Sequence, residues 1–133
     1  MKFSTRTTYG LRALIRLAKN WPKKSLSLGT IAQTEKISLK YLERIFSILK
    51  KAGIVISVQG SNGGYRLAKA PNKIVVYDII KALEGGISAF SCMGEDGKIN
   101  CRSRQICGAV KVLAKVQIAI NKTLKNIKLS NLI

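Results

Sequence analysis

All three cysteines of this 133-residue chain lie in one short stretch, CMGEDGKINCRSRQIC (92–107), and the chain has no histidine. Clustered thiols in a chain whose amino terminus lacks an apolar signal core point to metal or redox chemistry rather than to structural disulfides. Thiolate sulfur is soft and suits iron–sulfur clusters, zinc or copper(I). Cys92, Cys101 and Cys107 are thus candidate metal ligands, spaced C-x8-C-x5-C. Three thiols leave a fourth ligand to be found, and Glu95 and Asp96 inside the loop are local oxygen candidates. Reduced thiols that form a reversible disulfide are the competing chemistry.

The second chemical signal is charge. The chain carries 24 Lys and Arg against 6 Asp and Glu, a net +18. The excess is uneven: residues 1–75 hold 15 basic and 2 acidic side chains, residues 76–133 hold 9 and 4. An amino-terminal unit this basic attracts polyanions, of which nucleic acid is the simplest. Catalysis is disfavoured. Without histidine, a cysteine nucleophile has no imidazole base in its own chain, and the few carboxylates leave little for acid–base work. GSNGG (60–64) lacks the helix and lysine that a nucleotide loop needs.

These groups need elements to hold them. A chain with 47% hydrophobic residues and this length supports a folded domain without disulfide staples. STRTTYGLRALIRLAK (4–19) predicts a helix with Ser4 as N-cap and an apolar stripe through Leu11, Leu14, Ile15 and Ala18. SLGTIAQTEK (27–36) predicts a short helix capped by Ser27. After the turn at 36–38, LKYLERIFSILKKA (39–52) predicts a third, capped by Ser38, with Leu42, Ile45, Phe46 and Leu49 buried and Gly53 ending it. IVISVQ (54–59) and YRLAK (65–69) around GSNGG predict a β-hairpin. Helix, helix-turn-helix, then a basic glycine-rich hairpin is the winged helix-turn-helix order. The fold class expected is mainly α with a small β-hairpin wing. VYDIIKALEG (76–85) predicts a fourth helix. GAVKVLAKVQIAINKTLKNI (108–127) predicts a long last one, whose stripe Val110, Leu113, Val116, Ile120, Leu124, Ile127 exceeds what the rest can cover and suggests a dimerisation helix. The expected division is 1–75 for DNA binding, 76–107 for a connecting helix and cysteine loop, and 108–133 for the dimerisation helix and tail.

In a helix-turn-helix the second helix enters the major groove N-terminus first. Its solvent face offers Ser38, Lys40, Tyr41, Glu43, Arg44 and Ser47. Lysine and arginine suit guanine or phosphate, tyrosine suits phosphate or a thymine methyl, and glutamate suits cytosine N4. At the wing, Gln59, Ser61, Asn62 and Arg66 are placed for backbone and minor-groove contacts. No apolar run reaches the ~20 residues of a membrane span, so a cytoplasmic protein bound to double-stranded DNA is expected.

MKFSTRTTYGLRAL, SLKYLERIFSILKKAGIV, SVQGSNGGYRLA, DIIKALEG, the three cysteines and the closing NIKLSNL together resemble the IscR/NsrR/CymR-type bacterial transcription regulators, over residues 1 to about 132. The resemblance implies a homodimeric, sequence-specific DNA-binding regulator with a carboxy-terminal helix crossing to the partner. It implies an iron–sulfur cluster, 2Fe-2S or 4Fe-4S, held by Cys92, Cys101 and Cys107 and controlling DNA affinity. Other members of that family lack a cluster and respond to cysteine status through a regulatory partner protein. The sequence departs from the family pattern in the long first gap between cysteines, in Val110 and Thr8 at the positions that supply the fourth ligand, and in Gln59 at the start of the wing. A non-specific basic nucleic-acid-binding protein is the reading outside this family.

Overall fold

The structure, a computed structural model, describes residues 2–133. Helices α1 (Thr5–Lys19), α2 (Leu28–Glu35) and α3 (Leu39–Lys51) precede a hairpin of β1 (Val55–Val58) and β2 (Gly64–Leu67); α4 (Val76–Glu84) and α5 (Val110–Lys125) follow, with 3-10 turns at Pro71–Lys73 and Leu129–Leu132. This is the winged helix-turn-helix order read from the sequence.

The helix-turn-helix forms as its caps dictate. Ser27 Oγ accepts from Thr30 N at 3.1 Å and Ser38 Oγ from Tyr41 N at 3.3 Å, so each helix start has one of its free N–H groups satisfied. Between them Lys36 takes the left-handed conformation (φ 55°), which turns the chain within three residues. Leu42, Ile45, Phe46 and Leu49 are fully buried, as their spacing predicts. They meet Leu14, Leu17, Ile31, Val55 and Leu67 in one core.

The hairpin pairs Val55 with Leu67, Ile56 with Arg66, Ser57 with Tyr65 and Val58 with Gly64. Leu26 adds a single antiparallel bridge to Tyr65, which ties the wing to the residues that lead into α2. Gly64 permits this. A Cβ there would stand 2.2 Å from the Leu26 carbonyl oxygen, and its φ of 149° excludes most side chains.

Two expectations for α1 are corrected. Ser4 occupies the N-cap position, but its side chain makes no cap bond; its backbone N–H and its Oγ both donate to Glu84 Oε1, at 2.7 and 2.8 Å. The buried line of α1 runs through Thr7, Gly10, Ala13, Leu14, Leu17 and Ala18, while Leu11 and Ile15 are only half-buried. The face turns because α4 packs against Gly10: a Cβ there would lie 2.4 Å from Leu83 Cδ1. A glycine and a threonine at the closest approach are invisible to a count of apolar residues.

The carboxy-terminal segment returns to the amino-terminal unit. Val76 N donates to the Ile127 carbonyl and Leu129 N to the Ile74 carbonyl, both at 2.8 Å. Leu129 is fully buried in the same core as α1 and α3. Ile120, Leu124 and Ile127 pack on Val76, Tyr77, Ile80 and Ile87. The upper part of α5 stays uncovered, with Val112, Val116 and Ile118 exposed.

Candidate nucleic-acid interface and cysteine loop

The apolar side of α3 faces the core, so its other side faces solvent. Ser38, Lys40, Glu43, Arg44 and Ser47 are all exposed there. Ser38, Lys40, Tyr41 and Arg44 line one shallow cleft of about 280 Å³. Tyr41 differs from the rest. Its ring stands edge-on to Tyr9 with centroids 5.7 Å apart, its hydroxyl is 3.1 Å from Thr5 Oγ1, and it is half-buried. It serves as a strut between α1 and α3 as much as a free surface group.

At the wing, Gln59, Ser61, Asn62 and Arg66 are exposed. Ser61 and Asn62 share a second cleft, about 550 Å³, with Lys23, Lys24, Ser27 and Thr30 of the α2 approach. Ser25 Oγ donates to the Asn62 carbonyl at 2.7 Å and fixes the wing tip beside these lysines. The sequence reading did not pick out Lys23 and Lys24 as site residues. Their only signal was a lysine pair shortly before a helix cap, common on any surface. From the start of α3 to the wing tip, the exposed surface carries Lys23, Lys24, Lys40, Arg44 and Arg66, with Glu43 as the acidic member.

Of the chain's few carboxylates, three are taken up in joints between elements. Glu35 of α2 receives Arg16 Nη2 at 2.5 Å and Arg12 Nε at 3.3 Å from α1. The Arg16 hydrogen bond holds its carboxyl below the ordinary glutamate range, against the opposing effect of burial. Glu84 of α4 accepts from Ser4 and, at 2.5 Å, from Thr7 Oγ1. Burial pushes its pKa up, but the bonds from Thr7 and Ser4 outweigh it and leave it lowered. Glu95 of the cysteine loop pairs with Lys81 Nζ at 2.9 Å and accepts from Ile87 N at 3.0 Å. The bond to Lys81 lowers Glu95 and raises Lys81. Loop is thus joined to α4, α4 to α1, and α1 to α2.

The cysteine loop has two unequal halves. From 86 to 100 it is anchored. Gln117 of α5 is fully buried: its Oε1 accepts from Ala89 N at 2.7 Å, and its Nε2 donates to the Ile87 carbonyl at 2.6 Å and to Asn121 Oδ1 at 3.0 Å. Asn121 Nδ2 then donates to the Glu95 carbonyl at 2.7 Å. Met93 bridges to Ile99 and is buried, Asn100 N donates to the Cys92 carbonyl, and Asp96 Oδ1 accepts from Lys98 N. Residues 102–109 are exposed, Ile106 to 87%. Gln117 was missed in the sequence although a signal existed: it is the one polar residue on the line Leu113, Gln117, Ile120, Leu124.

All three cysteines are free; Cys92 and Cys101 are half-buried and Cys107 is exposed. Cys101 Sγ accepts from Ser103 N at 3.4 Å. As a donor set, three free thiols in one loop fit an iron–sulfur centre. Their arrangement does not yet gather them: among the described residues, no three Cys, Asp or Glu side chains stand close enough to hold a metal ion. Glu95, an oxygen candidate, is committed to Lys81 and Ile87, and Asp96 to its own turn. Thr8 is exposed on α1 and Val110 half-buried at the start of α5.

Comparison with known proteins decides the lineage. A family model described as Rrf2, iron-dependent transcriptional regulator, matches residues 3–133. The chain belongs to the Rrf2 family. It is 44% identical to the HTH-type transcriptional regulator CymR of Bacillus subtilis over 96 residues, 72% of this chain and 70% of that protein. It is 32% identical to the HTH-type transcriptional regulator IscR of Pectobacterium carotovorum over 133 residues, 100% of this chain and 79% of that protein. Its fold superposes on the solved structure of CymR, the global cysteine regulator of B. subtilis, with a TM-score of 0.83 and 34% identity, covering 99% of this chain and 95% of that one. The T. potens IscR structure gives a TM-score of 0.76 with 35% identity, over 99% of this chain and 85% of that one. This Rrf2-family chain is a transcriptional regulator and not an enzyme. No helix among the described residues is long and apolar enough to cross a membrane.

Proposed function

We propose that this chain is a homodimeric, sequence-specific regulator of double-stranded DNA whose affinity is set by the state of Cys92, Cys101 and Cys107. The observation that carries the reading is the pair of clefts lined by basic side chains, Lys40 and Arg44 on α3 and Lys23 and Lys24 at the wing tip. Ser38, Lys40, Tyr41, Glu43, Arg44 and Ser47 meet the major groove, with Arg44 and Lys40 suited to guanine O6/N7 and Glu43 to cytosine N4. Gln59, Ser61, Asn62 and Arg66 lie along the backbone and minor groove beside the wing. A chain of this charge binds mainly through phosphate neutralisation, so affinity falls steeply with salt. Val112 and Val116, one turn apart and exposed on α5, form the face that a second copy covers. The protein acts in the cytoplasm, and the domain division is 1–75, 76–107 and 108–133.

For the loop, the donor chemistry and the iron-dependent family description support an iron–sulfur cluster on the three cysteines. A bound cluster supplies a soft, oxidant-sensitive centre. The chain's own residues do the coupling: Lys81 and Gln117 hold the anchored half of the loop, and Glu84 passes the position of α4 to α1. The exposed half, 102–109, has to fold inward for the thiols to share one ligand. Dispersed thiols with Cys107 at the surface favour a second reading, a reversible thiol switch without a cluster, with or without a partner protein.

Anaerobic reconstitution with iron and sulfide separates the two. The cluster reading expects protein-bound iron and sulfide with visible absorbance, lost in Cys107→Ala. A colourless product without bound iron removes that reading. The thiol switch then stands only if oxidant changes both the free-thiol count and DNA affinity.

A further inference from the structure

The recognition helix begins with an apolar residue that the core does not use. Leu39 is the first residue of α3 and is 45% exposed, whereas Leu42, Ile45, Phe46 and Leu49 of the same helix are fully buried. It stands between exposed Ser38 and Lys40, at the end of the helix that enters the groove first. Leu39 and Glu43 lie one turn apart on the same line of the helix, and Lys40 and Arg44 form the neighbouring line.

In the major groove only thymine, through its C5 methyl, offers an apolar edge. The reading head has two groups able to meet it, Tyr41 and Leu39. The Tyr41 ring is half-buried and braced against Tyr9, which leaves its hydroxyl, beside Thr5 Oγ1, for phosphate rather than its ring for a methyl. Leu39 has no such commitment. We infer that Leu39 is a specificity residue that reads a thymine methyl in each half-site. The inference rests on the DNA-binding reading above. An (i, i+4) pair spans about 6 Å along the helix, less than two base-pair steps, so the thymine lies next to, or one pair beyond, the base read by Glu43.

The test uses duplexes selected from a random-sequence pool by the full-length wild-type protein. Each thymine of the tightest duplex is replaced in turn by deoxyuridine, which pairs identically but lacks the methyl. One replacement per half-site is expected to weaken wild-type binding about three- to tenfold. Leu39→Ala is expected to lose the same factor on the unmodified duplex and to be indifferent to that replacement. If no deoxyuridine position distinguishes wild type from Leu39→Ala, the inference is overturned. Arg44→Ala on the same duplex keeps the two readings apart. Loss of affinity there with no deoxyuridine effect removes Leu39 alone, whereas unchanged affinity removes the recognition-helix reading itself.

Discussion

The reading head and the cysteine loop are built on opposite plans. Lys40, Arg44 and their neighbours stand on a helix whose inner face is sealed by Leu42, Ile45, Phe46 and Leu49. Phe46 also meets Tyr65 of the wing edge-on, at 4.9 Å between centroids. Helix and wing therefore share one apolar core, and their relative position is fixed within a single chain. The loop is held more sparsely. Its first half buries Ile87 and Met93 and otherwise hangs on a few polar bonds to Glu95, Gln117 and Asn121, and its second half, with Cys107, is exposed. On the proposed function, recognition is preformed and sensing depends on what the thiols bind or become. A regulator needs that asymmetry, because a signal can move only the part of the structure whose local stability is small.

Breaking the core on the recognition side should have the largest effect. Phe46→Ala is expected to cost about 3–5 kcal/mol of unfolding free energy in a urea titration. Cys107→Ala, at an exposed position, should change it by less than about 0.5 kcal/mol. Similar losses for the two variants would erase the contrast.

A smaller effect sharpens the link between the regions. Glu84 joins α4 to α1 through three donated hydrogen bonds. Its pKa is lowered in the folded chain, so ionised Glu84 favours the folded state above its unfolded pKa. That contribution is lost as the pH falls through the folded value, below about pH 4.5. Glu84→Gln should therefore be less stable by about 1–2 kcal/mol at pH 7, with the gap to wild type narrowing as the medium is acidified below that point. Glu35 and Glu95, also lowered, add to the acid sensitivity of wild type in the same direction. A gap that stays constant down to pH 3 would show that Glu84 contributes packing rather than charge.

The same contrast explains what could be read from the residues alone. The stripe of α3, the caps at Ser27 and Ser38 and the glycine-rich wing are local patterns, each contained within one helix or one hairpin. They carry the fold, and with it the face on which Lys40 and Arg44 stand. The joints were not legible. Thr7 and Glu84 are 77 residues apart, and Ala89 and Gln117 are 28 apart; nothing in the periodicity of either segment names its partner. Ser4 has the residue type of a helix cap and serves a different carboxylate. Composition gathers the cysteines into one loop but says nothing of their arrangement, because residues 102–109 have little core to fix them. Leu39 lies outside the stripe Leu42, Ile45, Phe46 and Leu49, and only its 45% exposure sets it apart as a surface group.

The central claim is that the exposed face of α3 reads a DNA sequence. It is tested most directly by comparing wild type with Arg44→Ala on the duplex selected from a random pool and on a scrambled duplex, at fixed salt. The account predicts a loss of about tenfold or more on the selected duplex, with little change on the scrambled one. Equal affinity of the two proteins for the selected duplex, or equal affinity of wild type for both duplexes, would contradict it.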